Sequence, residues 1–285
     1  MAKLIDGKAI SAAVKEEVAR EVQILSAKGI RPGLAVVLVG EDPASRIYVN
    51  NKRKACEATG IYSEEYLLPE TTSQQELLEL IDRLNEKAEI HGILVQSPLP
   101  EGLDEAAVVE AISPKKDVDA FHAYNVGKLM QGTPVFQPCT PAGIIELIRS
   151  TGTEIAGKHC VVIGRSDIVG KPMAMLLLQN NGTVTVCHSK TLNLPEITKQ
   201  ADILVSAVGK AGFVTADMVK PGAVVLDVGM NRDSAGKLCG DVDFAGVEPV
   251  VSWITPVPGG VGPMTIAILL RNTVTAAKLQ NGIAL

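Results

Sequence analysis

Gly164 and Gly170 bracket a loop, Gly164-Arg-Ser-Asp-Ile-Val-Gly170, that follows the apolar run Cys160-Val-Val-Ile163 and precedes a helical pattern. A strand, a glycine turn and a helix start in that order bring backbone N–H groups within reach of a phosphate. The spacing reads G-x-S-x-x-x-G rather than G-x-G-x-x-G, so the loop alone fits an ordinary strand-to-helix turn as well as a dinucleotide site. The end of the next strand narrows the chemistry. An NAD site carries Asp or Glu about 20 residues past the glycines for the ribose 2′-hydroxyl. This chain has His188-Ser189-Lys190-Thr191 there, and Arg165 inside the loop. Donors and positive charge at both stations suit a 2′-phosphate, and therefore NADP.

A second set of polar residues lies more than a hundred positions earlier. Ser45, Tyr48 and Lys52 are spaced to project from nearly one face of a helix. That face could line a cleft, and the run Lys52-Arg53-Lys54 would equally suit a solvated surface. Gln96 ends an apolar strand and precedes Ser97-Pro-Leu-Pro100. Two prolines in three residues exclude helix and hold Gln96 rigidly at the sheet edge. Asp119 and His122 fall in a stretch, Lys115 to His122, that mixes charged and apolar residues closely, and both are candidates for polar contacts.

The elements that must position these residues alternate. Ile10, Val14, Val18, Val22 and Leu25 stripe an amphipathic helix over 7–28. A buried strand over 34–39 leads through Asp42-Pro43, an N-cap and first-turn proline, into a helix over 44–59. A strand over 62–68, an amphipathic helix through Leu77, Leu80, Ile81 and Leu84, and a strand over 92–95 follow. A helix over 104–112 comes next, and residues 123–140 lack clean periodicity and read as a connection. Beyond them lie a helix from 140 to about 150 and strands at 160–163, 183–187, 203–208 and 223–228. Residues 254–263 hold three glycines and three prolines, which excludes regular structure, and a helix over 264–280 closes the pattern. The fold class is α/β with two α/β domains. The first, discontinuous, comprises 1–139 plus 264–285; the second, over 140–263, is a Rossmann-like dinucleotide-binding domain. The active-site cleft is expected between them.

Composition agrees and excludes other classes. Of 285 residues, 46% are hydrophobic and only 3% aromatic, which favours layered α/β structure over an aromatic-cored sandwich. A net charge of −5 offers no basic surface for nucleic acid. No apolar run approaches the ~18 residues of a membrane span, and the opening residues lack a signal-peptide core, so a cytoplasmic location is expected. Five scattered cysteines without C-x-x-C suit reduced thiols and argue against a structural zinc. No metal is expected.

Six segments together resemble one family. Asp42-Pro-Ala-Ser-Arg-Ile-Tyr-Val-Asn-Asn-Lys52, Gln96-Ser-Pro-Leu-Pro100, Asp117-Val-Asp-Ala-Phe-His122, Pro138-Cys-Thr-Pro-Ala-Gly143, Gly164-Arg-Ser-Asp-Ile-Val-Gly-Lys-Pro172 and Pro258-Gly-Gly-Val-Gly-Pro-Met-Thr265 resemble bifunctional methylenetetrahydrofolate dehydrogenase/methenyltetrahydrofolate cyclohydrolase, the FolD family, over nearly the whole chain. The resemblance implies oxidation of 5,10-methylenetetrahydrofolate to the methenyl cation with NADP, then hydrolysis to 10-formyltetrahydrofolate. It also implies a homodimer and a place in one-carbon metabolism and purine biosynthesis.

By the same resemblance Lys52 is the catalytic lysine, oriented by Gln96. A lysine working near neutral pH needs its pKa lowered from about 10.4 toward 7 to 8. Tyr48 resembles the aromatic wall for the folate and Asp119 the acceptor for pterin N–H groups. Ser45, Pro258, Gly259 and Gly260 resemble further substrate contacts. Gly164, Arg165, Ser166 and Ser189, with Gly170, match the NADP contacts. The family pattern has glycine where this chain has Ala120 and a larger apolar residue at Ser97, so the Ala120 methyl is expected to tighten the space beside the pterin.

Two other readings compete. The Tyr48-x-x-x-Lys52 spacing matches the short-chain dehydrogenase pair, but there the pair follows the cofactor loop, so chain order rejects it. A nucleotide-sensing regulatory module without catalysis would have no use for the lysine and glutamine.

Overall fold

A computed structural model describes residues 1–284 as two compact α/β units. One comprises Ala13–Gln137 and the chain from Ile266 onward; the other comprises Met1–Ala12 and Pro138–Thr265.

The first unit is built on three parallel strands. Gly33–Val39 runs between Tyr62–Leu68 and Gly92–Val95, pairing Leu34 with Gly92 on one side and Gly33 with Tyr62 on the other. Every residue of Gly33–Val39 is buried, which is why its sequence, GLAVVLV, is uninterrupted apolar rather than alternating. Each fully buried valine or leucine there contributes about 1.5–3 kcal/mol. The helix Gln74–Glu86 starts at a capping box, Ser73 with Glu76, and turns Leu77, Leu80, Ile81 and Leu84 onto the sheet. The last helix of the chain, Val261–Gln280, is tied to this unit by side-chain amides: Asn272 donates to the Val118 and Gln137 carbonyls at 2.8 and 2.9 Å, and Gln280 to those of His91 and Lys115.

The second unit holds six parallel strands in the order Lys3–Leu4, Trp253–Ile254, Val224–Asp227, Ile203–Ser206, His159–Ile163, Thr183–Cys187. From His159–Ile163 the chain goes first to one neighbour and then returns to the other. The carboxyl ends of His159–Ile163 and Ile203–Ser206 therefore flank the point where strand order reverses, the position at which open α/β sheets take ligands. Among the described residues no helix is long and apolar enough to cross a membrane.

Three segments differ from the sequence reading. Residues 123–130 form a helix, Ala123–Met130, where a connection was expected. It lacks an apolar stripe, but His122 Nδ1 accepts the Tyr124 N–H at 3.0 Å as an N-cap, and the buried Asn125 donates to Asp117 and to the Pro114 carbonyl. The final helix begins at Val261, three residues before the expected 264, with Pro263 in its first turn. Residues 1–12 lie in the second unit, because Lys3–Leu4 pairs in parallel with Trp253–Ile254. Two residues carry too little pattern to show that pairing in the sequence.

Ala120 adopts φ +61 and is 1% exposed. An alanine in the left-handed region carries about 1–2 kcal/mol of strain, close to what glycine would forfeit there in chain entropy and in about 0.8 kcal/mol of methyl burial. Ala120→Gly is therefore expected to leave the urea midpoint nearly unchanged. Ala277→Gly, at a helical alanine 0% exposed, should cost about 1.5–2 kcal/mol. Equal losses in the two variants would contradict the strain at Ala120.

Candidate active site

The helix Pro43–Thr59 is set at both ends. Asp42 accepts the Ser45 N–H at 2.7 Å, Pro43 occupies the first turn, and Gly60 at φ +81 closes the far end by donating to Cys56 and Glu57. Val49 and Cys56 are buried. The same helix buries Ser45, half-buries Tyr48 and leaves Lys52 only 8% exposed. The bland alternative of a solvated charged face fits Arg53, which is partly exposed and pairs with Glu57 at 2.5 Å, and does not fit Lys52.

Lys52 Nζ donates to Gln96 Oε1 at 2.9 Å. The orientation of that amide follows from its surroundings. The Gln96 N–H continues the ladder by donating to the Val37 carbonyl at 2.8 Å, and Gln96 Nε2 donates to the Ser97 carbonyl at 2.6 Å. With the NH2 engaged, the amide oxygen is turned to the lysine. The turn that follows contains a cis Ser97–Pro98 bond. Gln96 thus offers Lys52 a neutral acceptor held in place by backbone.

Burial raises the Tyr48 phenol above its ordinary pKa, so it stays protonated and presents an aromatic face and a hydroxyl. Cys56, one turn beyond Lys52, is fully buried, and its thiol is pushed up to about 12 by burial. It is inert packing rather than a nucleophile.

Asp119 is half-buried and lines a small recess with Ile93, Val95, Ser97, Glu105 and Phe121. The residue sequence reasoning passed over is Asp117. It is 2% exposed and its carboxylate accepts from Asn125 Nδ2 at 2.7 Å and from the N–H groups of His122 and Phe121 at 2.9 and 3.2 Å. Burial raises its pKa against those donors. Asp117 holds the turn on which Asp119 stands. In Asp117-Val-Asp119 nothing local says which carboxylate turns inward. His122 is spent on its N-cap and on Glu110 at 3.5 Å.

The glycine loop belongs to the second unit. Gly164 has φ +130, and a Cβ there would lie 2.4 Å from the Ala207 carbonyl oxygen; one at Gly170 would lie 2.4 Å from the Gly164 carbonyl. Only glycine allows that approach. The loop leads into the helix Gly170–Gln179, and Ser166 Oγ accepts the N–H groups of Val169 and Gly170 at 3.2 and 3.3 Å. Ser166 thus shapes the turn while its own O–H can still donate. Ile163 pairs with Cys187, and the Gly164 N–H donates to the Cys187 carbonyl at 2.9 Å. In-register parallel strands therefore release Arg165 and Ser189, both exposed, at the same sheet edge. A tight glycine cradle at the strand-order reversal, with a helix start behind it and a guanidinium beside it, fits a dinucleotide carrying a 2′-phosphate. Pro258, Gly259 and Gly260 lie in this unit after a cis Val257–Pro258 bond, and Gly259 has φ +109.

A sheet with a dinucleotide-type turn on one unit, and a buried lysine bonded to a half-buried glutamine on the other, fit a two-domain α/β enzyme that combines redox with acid/base chemistry. Known proteins agree in detail. Residues 5–119 match the catalytic domain of tetrahydrofolate dehydrogenase/cyclohydrolase, and residues 138–281 match its NAD(P)-binding domain. The chain is 61% identical over 279 residues to the bifunctional protein FolD of Acetivibrio thermocellus, covering 98% of each. It is 58% identical to that of Magnetococcus marinus over the full length of both. The crystal structure of FolD from Campylobacter jejuni superposes with a TM-score of 0.96 at 51% identity, over 98% of this chain and 99% of that one. FolD from Trypanosoma brucei, complexed with NADP cofactor and inhibitor, gives a TM-score of 0.94 at 42% identity over 98% of each chain. The chain belongs to the tetrahydrofolate dehydrogenase/cyclohydrolase family, and it is a bifunctional enzyme of that kind.

Proposed function

We propose that the chain oxidises 5,10-methylenetetrahydrofolate to 5,10-methenyltetrahydrofolate and hydrolyses the methenyl compound to 10-formyltetrahydrofolate. The observation that carries the reading is the Lys52 Nζ to Gln96 Oε1 bond, made by a lysine only 8% exposed. A regulatory nucleotide sensor has no need of it.

The two steps ask different things of the protein. Bound NADP supplies the hydride acceptor. The folate's own nitrogen lone pair stabilises the cation as hydride leaves, so the residues need only hold the reactants aligned. Tyr48 offers a ring face to the folate and Asp119 a carboxylate to the pterin N–H groups, with Ser45, Pro258, Gly259 and Gly260 as further contacts. Hydrolysis requires proton movement. A water oxygen bonds to the methenyl carbon as neutral Lys52 Nζ takes its proton. The lysine then returns a proton to the ring nitrogen as the carbon–nitrogen bond breaks, and the hydroxyl proton leaves to solvent. Gln96 keeps Lys52 aimed through both transfers.

Gly164 and Gly170 give the cofactor its close approach, and Arg165, Ser166 and Ser189 bind it, Arg165 reading the 2′-phosphate. A charge-assisted guanidinium–phosphate pair is worth about 1.5–3 kcal/mol. Arg165→Ala should therefore lower the ratio of kcat/KM for NADP over NAD about ten- to a hundredfold. An unchanged ratio would remove Arg165 from this role. The enzyme works in the cytoplasm as a homodimer, supplying formyl groups for purine biosynthesis; sedimentation of the purified protein tests the dimer. The overall activity is tested by supplying methylenetetrahydrofolate with NADP or NAD and following reduced cofactor.

A further inference from the structure

Two carboxylates outside the site above are buried at the carboxyl edge of the larger sheet. Asp227 ends the strand Val224–Asp227 and is 4% exposed; Asp241 is 0% exposed. Among the described residues no side-chain cation pairs with either. Asp241 Oδ2 accepts the N–H groups of Val208 and Gly209 at 2.7 and 3.3 Å and the Ser206 hydroxyl at 3.3 Å. Its Oδ1 accepts the Lys210 N–H and Asn231 Nδ2, both at 2.9 Å. Asp227 in turn accepts the N–H groups of Gly229, Asp241 and Val242, each at 2.9 Å.

The space for both is carved by glycine. A Cβ at Gly229 would lie 2.3 Å from Asp241 Oδ1, and one at Gly240 would lie 1.9 Å from Asp227 Oδ2. Burial, and after it the neighbouring Asp241 charge, pushes the Asp227 carboxyl up to about 6 against the three N–H groups that pull it down. Two buried acids side by side are a costly way to fill a core. Their donors tell what they hold.

All five donors to Asp241 lie at the end of, or just beyond, two neighbouring strands, which end in register at Ser206 and Asp227. The nearer segment, residues 207–210, abuts the dinucleotide turn: the Ala207 N–H donates to the Ile163 carbonyl at 2.8 Å, and its carbonyl is the atom a Cβ at Gly164 would strike. This is also the strand-order reversal. We propose that Asp241 is a positioning residue for dinucleotide binding, its carboxylate fixing residues 207–210 against the Gly164 turn, with Asp227 fixing the Asp241 backbone. The inference rests on the reading of this edge as the NADP site.

The geometry makes Asp241→Asn a sharp probe. The amide fills the same space but places an NH2 against either the Val208 and Gly209 N–H groups or those of Lys210 and Asn231, so one half of the clamp opens. The measurement is the equilibrium dissociation constant for NADP by titration calorimetry. It is made alongside hydrolysis of methenyltetrahydrofolate, which needs no cofactor, and the melting temperature. Asp241→Asn should bind NADP about tenfold more weakly or worse, with kcat and KM for hydrolysis within twofold of the unaltered enzyme. A merely structural role would lower the melting temperature and leave the dissociation constant of the folded protein alone, and that result would overturn the proposal.

If Asp241→Asn does not fold, Asn231→Ala decides, since it removes one donor to the carboxylate. About threefold weaker NADP binding at an unchanged melting temperature supports the clamp, and an unchanged dissociation constant overturns it. Failure of the unaltered protein to bind NADP would instead overturn the cofactor reading beneath it.

Discussion

Lys52→Met abolishes hydrolysis of methenyltetrahydrofolate and leaves measurable oxidation of methylenetetrahydrofolate. Methionine has nearly the length of lysine and suits a position only 8% exposed, so it introduces no buried charge and little void. It cannot carry a proton, and positioned acid/base groups contribute about 10²–10⁴-fold. Hydrolysis should fall by at least that order, toward the spontaneous rate. Gln96 Oε1 loses the donor now 2.9 Å away, which costs about 1–3 kcal/mol of stability, so the melting temperature should drop modestly. Oxidation, which moves no proton through a side chain, continues with methenyl product accumulating. Hydrolysis at the unaltered rate, read from the loss of methenyl absorbance, would remove Lys52 from the mechanism.

Gly164→Ala produces the opposite loss. The added Cβ would stand 2.4 Å from the Ala207 carbonyl, and φ +130 is closed to alanine, so the turn must shift by more than a bond's tolerance. Strain of about 1–3 kcal/mol and displacement of the cradle should raise the KM for NADP about tenfold or more. The Lys52 helix belongs to the other compact unit, and hydrolysis of methenyltetrahydrofolate should continue at nearly its full rate. Parallel loss of both activities would contradict the assignment of separate duties.

Much of this was legible in the sequence because the physics is local. An uninterrupted apolar strand reads as doubly buried, and Gly33–Val39 is. The strand, glycine and helix order around Gly164 and Gly170 reads as a turn whose backbone can come close to a ligand. The stripe on Gln74–Glu86 and the cap at Asp42 need only their own neighbours. Where a side chain is defined by partners far along the chain, the pattern was silent. Asp117 and Asp119 are indistinguishable until Asn125 chooses the first. Ala123–Met130 forms a helix on the strength of that contact and a histidine cap. Lys3–Leu4 becomes a strand by pairing with residues some 250 positions away, from Trp253 to Ile254. Asp241 looks like any polar loop residue, and only the fold wraps five donors around it. Lys52 stood between a solvated surface and a site on sequence pattern alone; its burial removes the solvated surface, and the backbone-held Gln96 supports the site.

One reaction mixture tests the whole account. The unaltered protein is given methylenetetrahydrofolate and NADP, and NADPH, methenyl and 10-formyl products are followed together. NADPH should form, with methenyl appearing first and 10-formyltetrahydrofolate rising faster than spontaneous hydrolysis allows. Absence of NADPH formation, or methenyl that decays only at the spontaneous rate, would contradict the claim that this one chain both oxidises and hydrolyses its substrate.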